Sequence, residues 1–138
     1  MQKKLSCVLL IDDDSPTNFL NKMVIEEANC AEVVEVAQSG KDALEYLTKT
    51  MDIESGSRYP NPDLIFLDIN MPAMDGWEFL EQYESLAKDQ KGKVIMVMLT
   101  TSLNPEDEMK AMIKPGIAGF RSKPLTHKML EEILNEYF

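Results

Sequence analysis

Two apolar runs in this chain end abruptly on acid. Cys7-Val8-Leu9-Leu10-Ile11 is followed by Asp12-Asp13-Asp14, and Leu64-Ile65-Phe66-Leu67 by Asp68. Runs of this length, rich in branched side chains, read as strands buried on both faces. Two more runs end beside groups that donate hydrogen bonds or carry positive charge. Thr100-Thr101 follows the run 93–99, and Lys123-Pro124 lies just past 117–120. Carboxylates crowded at strand ends repel one another unless something cationic holds them. In an open α/β sheet, ligands bind outside the carboxyl ends of the strands. The spacing therefore predicts an acidic pocket at one edge of a sheet.

The elements that would position this pocket alternate along the chain. A strand over Leu5–Ile11 leads to Ser15-Pro16, which reads as an N-cap followed by proline in the first helical turn. That helix runs to about Glu27 and carries Phe19, Leu20, Met23 and Val24 on one face. A short strand at 33–36 precedes a helix capped by Ser39 and running to about Lys49, with Ala43, Leu44 and Leu47 turned inward. Residues 50–62 are polar and rich in turn formers, a long loop of the kind that often carries function. Then come a strand at Leu64–Leu67, a loop at 70–76, and a helix over 77–86 with Trp77, Leu80 and Tyr83 at core spacing. The remaining elements are a strand at 93–99, a helix opened by Pro105 and ending near Lys114, a short strand at 117–120, and a final helix. Thr126 caps that last helix, whose apolar stripe is Met129, Leu130, Ile133, Leu134 and Tyr137. Five strands alternating with five helices imply a parallel sheet with right-handed crossovers and helices on both faces.

Composition bounds the function. The 138 residues make one domain's worth of chain, 1–138, long enough to bury a core. The net charge of −10 argues against a nucleic-acid-binding surface. No apolar stretch is long enough for a membrane span and no leader is evident, so a cytoplasmic protein is the expectation. Cys7 and Cys30 match no metal spacing and read as reduced thiols. The ten methionines read as core filler.

In order, the strand-end residues are an acidic pair, then Asp68-Ile69-Asn70-Met71-Pro72-Ala73-Met74-Asp75-Gly76, then a hydroxyl residue, then Phe120-Arg121-Ser122-Lys123-Pro124. This pattern resembles the receiver domain of two-component response regulators over nearly the whole chain. One such motif alone is weak; the set, in order and spacing, is specific. The resemblance implies a flavodoxin-like, doubly wound five-stranded parallel sheet of order 2-1-3-4-5 with five helices. It implies a stand-alone receiver with no output domain: a phosphoacceptor with slow autodephosphorylation rather than an enzyme. Asp68 would accept a phosphoryl group from a partner phosphohistidine on a sensor histidine kinase or histidine phosphotransfer protein. The signal would pass to an unknown downstream protein or onward by phosphotransfer. Mg²⁺ would be held by Asp13, Asp68 and the Asn70 backbone carbonyl, with Asp12 acting through water. Lys123 would pair with Asp68 and then with a phosphoryl oxygen. Thr100 would donate its hydroxyl, with Thr101 as the substitute because this segment is one residue longer than usual. Phe120 would be the aromatic switch. Asn70 and Ser102 would influence phosphoryl lifetime.

Other residues have plainer readings. Asp14 is expected to face solvent, Asp75-Gly76 to form a turn, Trp77 to lie in the core and His127 to sit on the surface. The resemblance also implies a cis peptide at Lys123-Pro124. Two alternatives differ in class. Asp12-x-Asp14 loosely resembles the nucleophile motif of haloacid-dehalogenase-type phosphohydrolases, but Pro16 stands where that family wants Thr or Val. A receiver fold that binds a partner constitutively is the other.

Overall fold

The computed structural model describes residues 4–51, 60–86, 94–101 and 104–138. Five strands, β1 (Leu5–Ile11), β2 (Ala31–Ala37), β3 (Leu64–Leu67), β4 (Ile95–Thr100) and β5 (Gly119–Ser122), form one sheet in the order β2-β1-β3-β4-β5. All four pairings are parallel. Five helices intervene: α1 (Ser15–Ala28), α2 (Gly40–Met51), α3 (Gly76–Leu86), α4 (Pro105–Ile113) and α5 (His127–Tyr137). This is the flavodoxin-like, doubly wound arrangement expected of the sequence. No helix among the described residues is long and apolar enough to cross a membrane.

The two-residue period of the strands divides the core in two. Leu9, Ile11, Ile65, Leu67, Met96 and Met98 meet Ala43 and Leu47 of α2, Phe79 and Leu80 of α3, and Ala111 of α4. Val8, Leu10, Leu64, Phe66, Val97 and Leu99 meet Ile25 of α1 and Leu130, Ile133 and Leu134 of α5. Every residue of β3 is buried, as a central strand covered on both faces requires.

The helix starts follow local chemistry, with one revision. Ser39 Oγ accepts from Asp42 N at 3.0 Å and Thr126 Oγ1 from Met129 N at 3.1 Å, as their positions predict. Asn104 caps α4 with Pro105 in its first turn. The cap of α1 is Asp14, not Ser15: its carboxylate accepts from Thr17 N at 3.1 Å and also bonds the Thr17 hydroxyl. A carboxylate at a helix N-terminus is also favoured by the helix dipole. The Thr17 hydrogen bonds hold the Asp14 carboxyl below its ordinary pKa.

Two further expectations shift. The apolar face Phe19-Leu20-Met23 of α1 is exposed, with only Val24 partly packed; the helix instead buries Asn18, Asn21 and Ile25. Hydrogen bonds at the strand ends, described below, set that rotation. β5 lies two residues later than the apolar run suggests, pairing Met98 with Phe120 and Thr100 with Ser122. As an edge strand that is only half buried, it tolerates Arg121 and Ser122, while Ile117 N closes a turn onto Lys114 O at 3.2 Å. α2 continues through Met51, so the expected 50–62 loop starts later; residues 52–59 lie outside the described residues, as do Lys93 and Ser102.

Candidate functional site

Asp12, Asp68 and Lys123 are each the first residue past a strand. Their backbone N–H groups extend the sheet's ladder by one rung. Asp12 N donates to Ala37 O at 3.1 Å, Asp68 N to Ile11 O at 2.9 Å and Lys123 N to Thr100 O at 2.9 Å. The sheet thus delivers three side chains to one place from β1, β3 and β5. The Lys123 ammonium pairs with both carboxylates, with Asp12 Oδ2 and, at 3.2 Å, with Asp68 Oδ1. Asp12 and Asp68 are 4 % and 5 % exposed, so these are largely desolvated charges. Asp13 is exposed at the rim. One carboxylate oxygen from each of Asp12, Asp13 and Asp68 lies within 4.8 Å of the others.

The charge balance is uneven, with three carboxylates facing one ammonium. Burial raises the Asp68 pKa, the Asp12 charge raises it further, and Lys123 only partly opposes them. For Lys123, burial acts to lower the pKa, but its bonds with Asp12 and Asp68 outweigh burial and raise it. Lys123 therefore stays charged and Asp68 remains short of positive partners. Clustered hard oxygen donors with surplus negative charge suit a divalent cation such as Mg²⁺.

Loops around the cluster are tightly built. Gly76 N donates to Ile69 O at 2.8 Å, and a Cβ added at Gly76 would stand 2.6 Å from the Asp68 carbonyl oxygen. Only glycine allows that approach. Asp75 and Glu78 form a reciprocal cap: Asp75 Oδ1 accepts from Glu78 N at 2.8 Å, and Glu78 Oε1 from Asp75 N at 3.2 Å. The expected Asp75-Gly76 turn is thus also the start of α3. Within the same loop Ala73 takes a φ of 68°, the left-handed region that L residues rarely occupy. The Lys123–Pro124 peptide is cis.

The remaining expected residues separate by burial. Thr100 ends β4 with no exposed surface, whereas Thr101 is exposed. Phe120 is partly buried against the core beneath α4. Asn70 is exposed beside Asp68. Trp77 is partly buried, donates to Asp107 Oδ1 at 3.2 Å and lies under the Lys110 ammonium. His127 is on the surface, paired with Glu27.

Two residues beside the site escaped the sequence reading. Asn18 Nδ2 donates to the Asp12 carbonyl oxygen at 2.8 Å, and Asn21 Oδ1 accepts from Leu125 N at 3.2 Å. Their signal was two asparagines three residues apart within one helix. The Asp14 carboxylate, engaged by Thr17, is poorly placed for the acid/base role that the phosphohydrolase alternative requires.

A family model described as "Response regulator receiver domain" matches residues 8–135. The chemotaxis protein CheY of Halobacterium salinarum is 30% identical over 129 residues, covering 94% of this chain and 93% of that protein. The crystal structure of a two component response regulator from Cytophaga hutchinsonii superposes with a TM-score of 0.85 at 34% identity, covering 98% of both chains. A probable C4-dicarboxylate response regulator of Halalkalibacterium halodurans is 28% identical over 130 residues. The chain spans 50% of that protein's length.

Proposed function

The chain belongs to the response regulator receiver family of two-component signalling, and on that premise we propose that Asp68 is the residue it phosphorylates. An Asp68 carboxylate oxygen attacks the phosphorus of a partner's phosphohistidine. The O–P bond forms as the N–P bond breaks, and the histidine leaves with the electron pair. Lys123 holds the Asp68 carboxylate before the step and takes up a phosphoryl oxygen after it. The fully buried Thr100, rather than the exposed Thr101, donates its hydroxyl to the product. Asp12, Asp13, Asp68 and the Asn70 carbonyl would hold Mg²⁺, which supplies the charge neutralisation that an incoming phosphoryl group needs. The observation that carries this reading is the Lys123 ammonium bridging Asp12 and Asp68 beside the exposed Asp13.

The partner is a histidine kinase or a histidine phosphotransfer protein, and the modified form signals through changed protein contacts or onward transfer. Phe120, half-buried between the core and the surface near α4, is the element that moves when Thr100 turns toward the phosphoryl group.

The test is incubation with Mg²⁺ and a small acyl phosphate, followed by mapping of the label that base and hydroxylamine release. One phosphoryl group on Asp68, lost in Asp68→Asn, is the expected result. Label on Asp12 with turnover of phosphate esters would overturn the proposal.

A further inference from the structure

The inward face of α1 beneath the acidic pocket is polar where a core-facing helix is ordinarily apolar. Asn18 and Asn21 are 4 % and 2 % exposed. One amide holds the backbone of Asp12 and the other the backbone of Leu125, two residues beyond Lys123. The two asparagines are three residues apart, so they lie on one face of the helix. Since the Lys123 ammonium reaches the Asp12 carboxylate, a closed ring results. It runs from the Asp12 backbone through Asn18, α1, Asn21 and Leu125 to Lys123, and back to the Asp12 side chain.

Packing alone does not account for this arrangement. Leucine has the same branched side-chain skeleton as asparagine, though it is bulkier, and would join the Leu10, Phe66 and Leu99 side of the core without burying an amide. Asn18 Oδ1 has no hydrogen-bond partner among the described residues, a cost that an apolar side chain would avoid. Its orientation is fixed, because the Asp12 carbonyl demands the NH₂ end. Asn18 and Asn21 also line a small cavity with Asp12, Asp68, Phe66 and Leu99. About 10 Å³ of it admits a water-sized sphere, close to what a single water needs.

We propose that Asn18 and Asn21 are positioning residues that clamp the loop after β1 to the loop after β5, fixing where the Lys123 ammonium sits between Asp12 and Asp68. The inference rests on Asp68 being the phosphoacceptor. It assigns α1 a part in the chemistry that its sequence pattern does not suggest.

The test compares wild type with Asn18→Leu, Asn21→Leu and, as a core change on the same helix, Ile25→Val. Two quantities are read in each: the rate of Asp68 phosphorylation by an acyl phosphate at saturating Mg²⁺, and Mg²⁺ affinity from the amide NMR shifts of Asp14 and Leu125. Thermal unfolding fixes a temperature at which all four are folded. Displacement of a reacting group by even a fraction of an ångström is costly, so the leucine variants should phosphorylate about tenfold slower or worse. They should also bind Mg²⁺ more weakly, with Ile25→Val at the wild-type value in both. Wild-type rates and Mg²⁺ affinity in both leucine variants overturn the proposal, and so does an equal slowing in Ile25→Val. If a leucine variant does not fold, the serine variant at that position is read against the same outcomes. A wild-type protein that takes no label at all refutes the phosphoacceptor reading instead. The Mg²⁺ arm, which needs no phosphorylation, then still decides whether the clamp shapes the site.

Discussion

As the proposed phosphoacceptor, Asp68 is under opposed demands: that role needs an ionised carboxylate, yet it is buried beside another carboxylate. Burial, then the Asp12 charge, lifts its pKa above the ordinary value of 3.8. A group with a higher pKa folded than unfolded binds its proton more tightly in the native state, so acid favours folding through it. Without divalent cations, the wild-type Tm measured against that of Asp68→Asn should therefore rise as pH falls from neutrality toward 3.8. Lys123 does not confuse this window. Its pKa is raised from 10.5, so its contribution is fully present below 10.5 and fades only as pH rises through the raised value. Saturating Mg²⁺, which needs the carboxylates deprotonated, should reverse the slope. A difference that stays flat with pH in the metal-free protein would show that Asp68 is not strained by its neighbours.

At the scale of elements, the strand ends were legible and the helix faces were less so. Asp12, Asp68 and Lys123 each follow an apolar run directly or within a few residues, and β/α alternation forces those ends to one edge. The rotation of α1 was not legible, because it is set by bonds from Asn18 and Asn21 to loops distant in sequence. An apolar count instead chose Phe19, Leu20 and Met23, which are exposed. β5 was displaced for a related reason: a half-buried edge strand need not be apolar, so Arg121 and Ser122 hid it. The start of α3 shows what such local detail controls. Gly76→Ala would place a methyl against the Asp68 carbonyl oxygen and Ile69 Cα, backbone atoms that cannot rotate away. It should lower Tm and slow Asp68 phosphorylation together. Retention of both would mean the loop can yield.

Across the whole molecule, two half-cores share one sheet. One is closed by α2, α3 and α4, the other by α1 and α5. The site lies where the strands leave both. α4 contributes only Ala111 to the buried core and exposes Met109, Met112 and Ile113. It is thus held more loosely than the strands beneath it. The last rung of the ladder has a kinetic corollary. Because the N–H groups of Asp12, Asp68 and Lys123 are bonded to neighbouring strands, they cannot exchange with solvent deuterium until those strands part. These three amides should exchange as slowly as those of Val8 and Phe66, while the amides of α4 exchange much sooner. In hydrogen-exchange terms, the backbone of the proposed site would then belong to the slowest class among the described residues. Breaking the site and unfolding the sheet would then be one event.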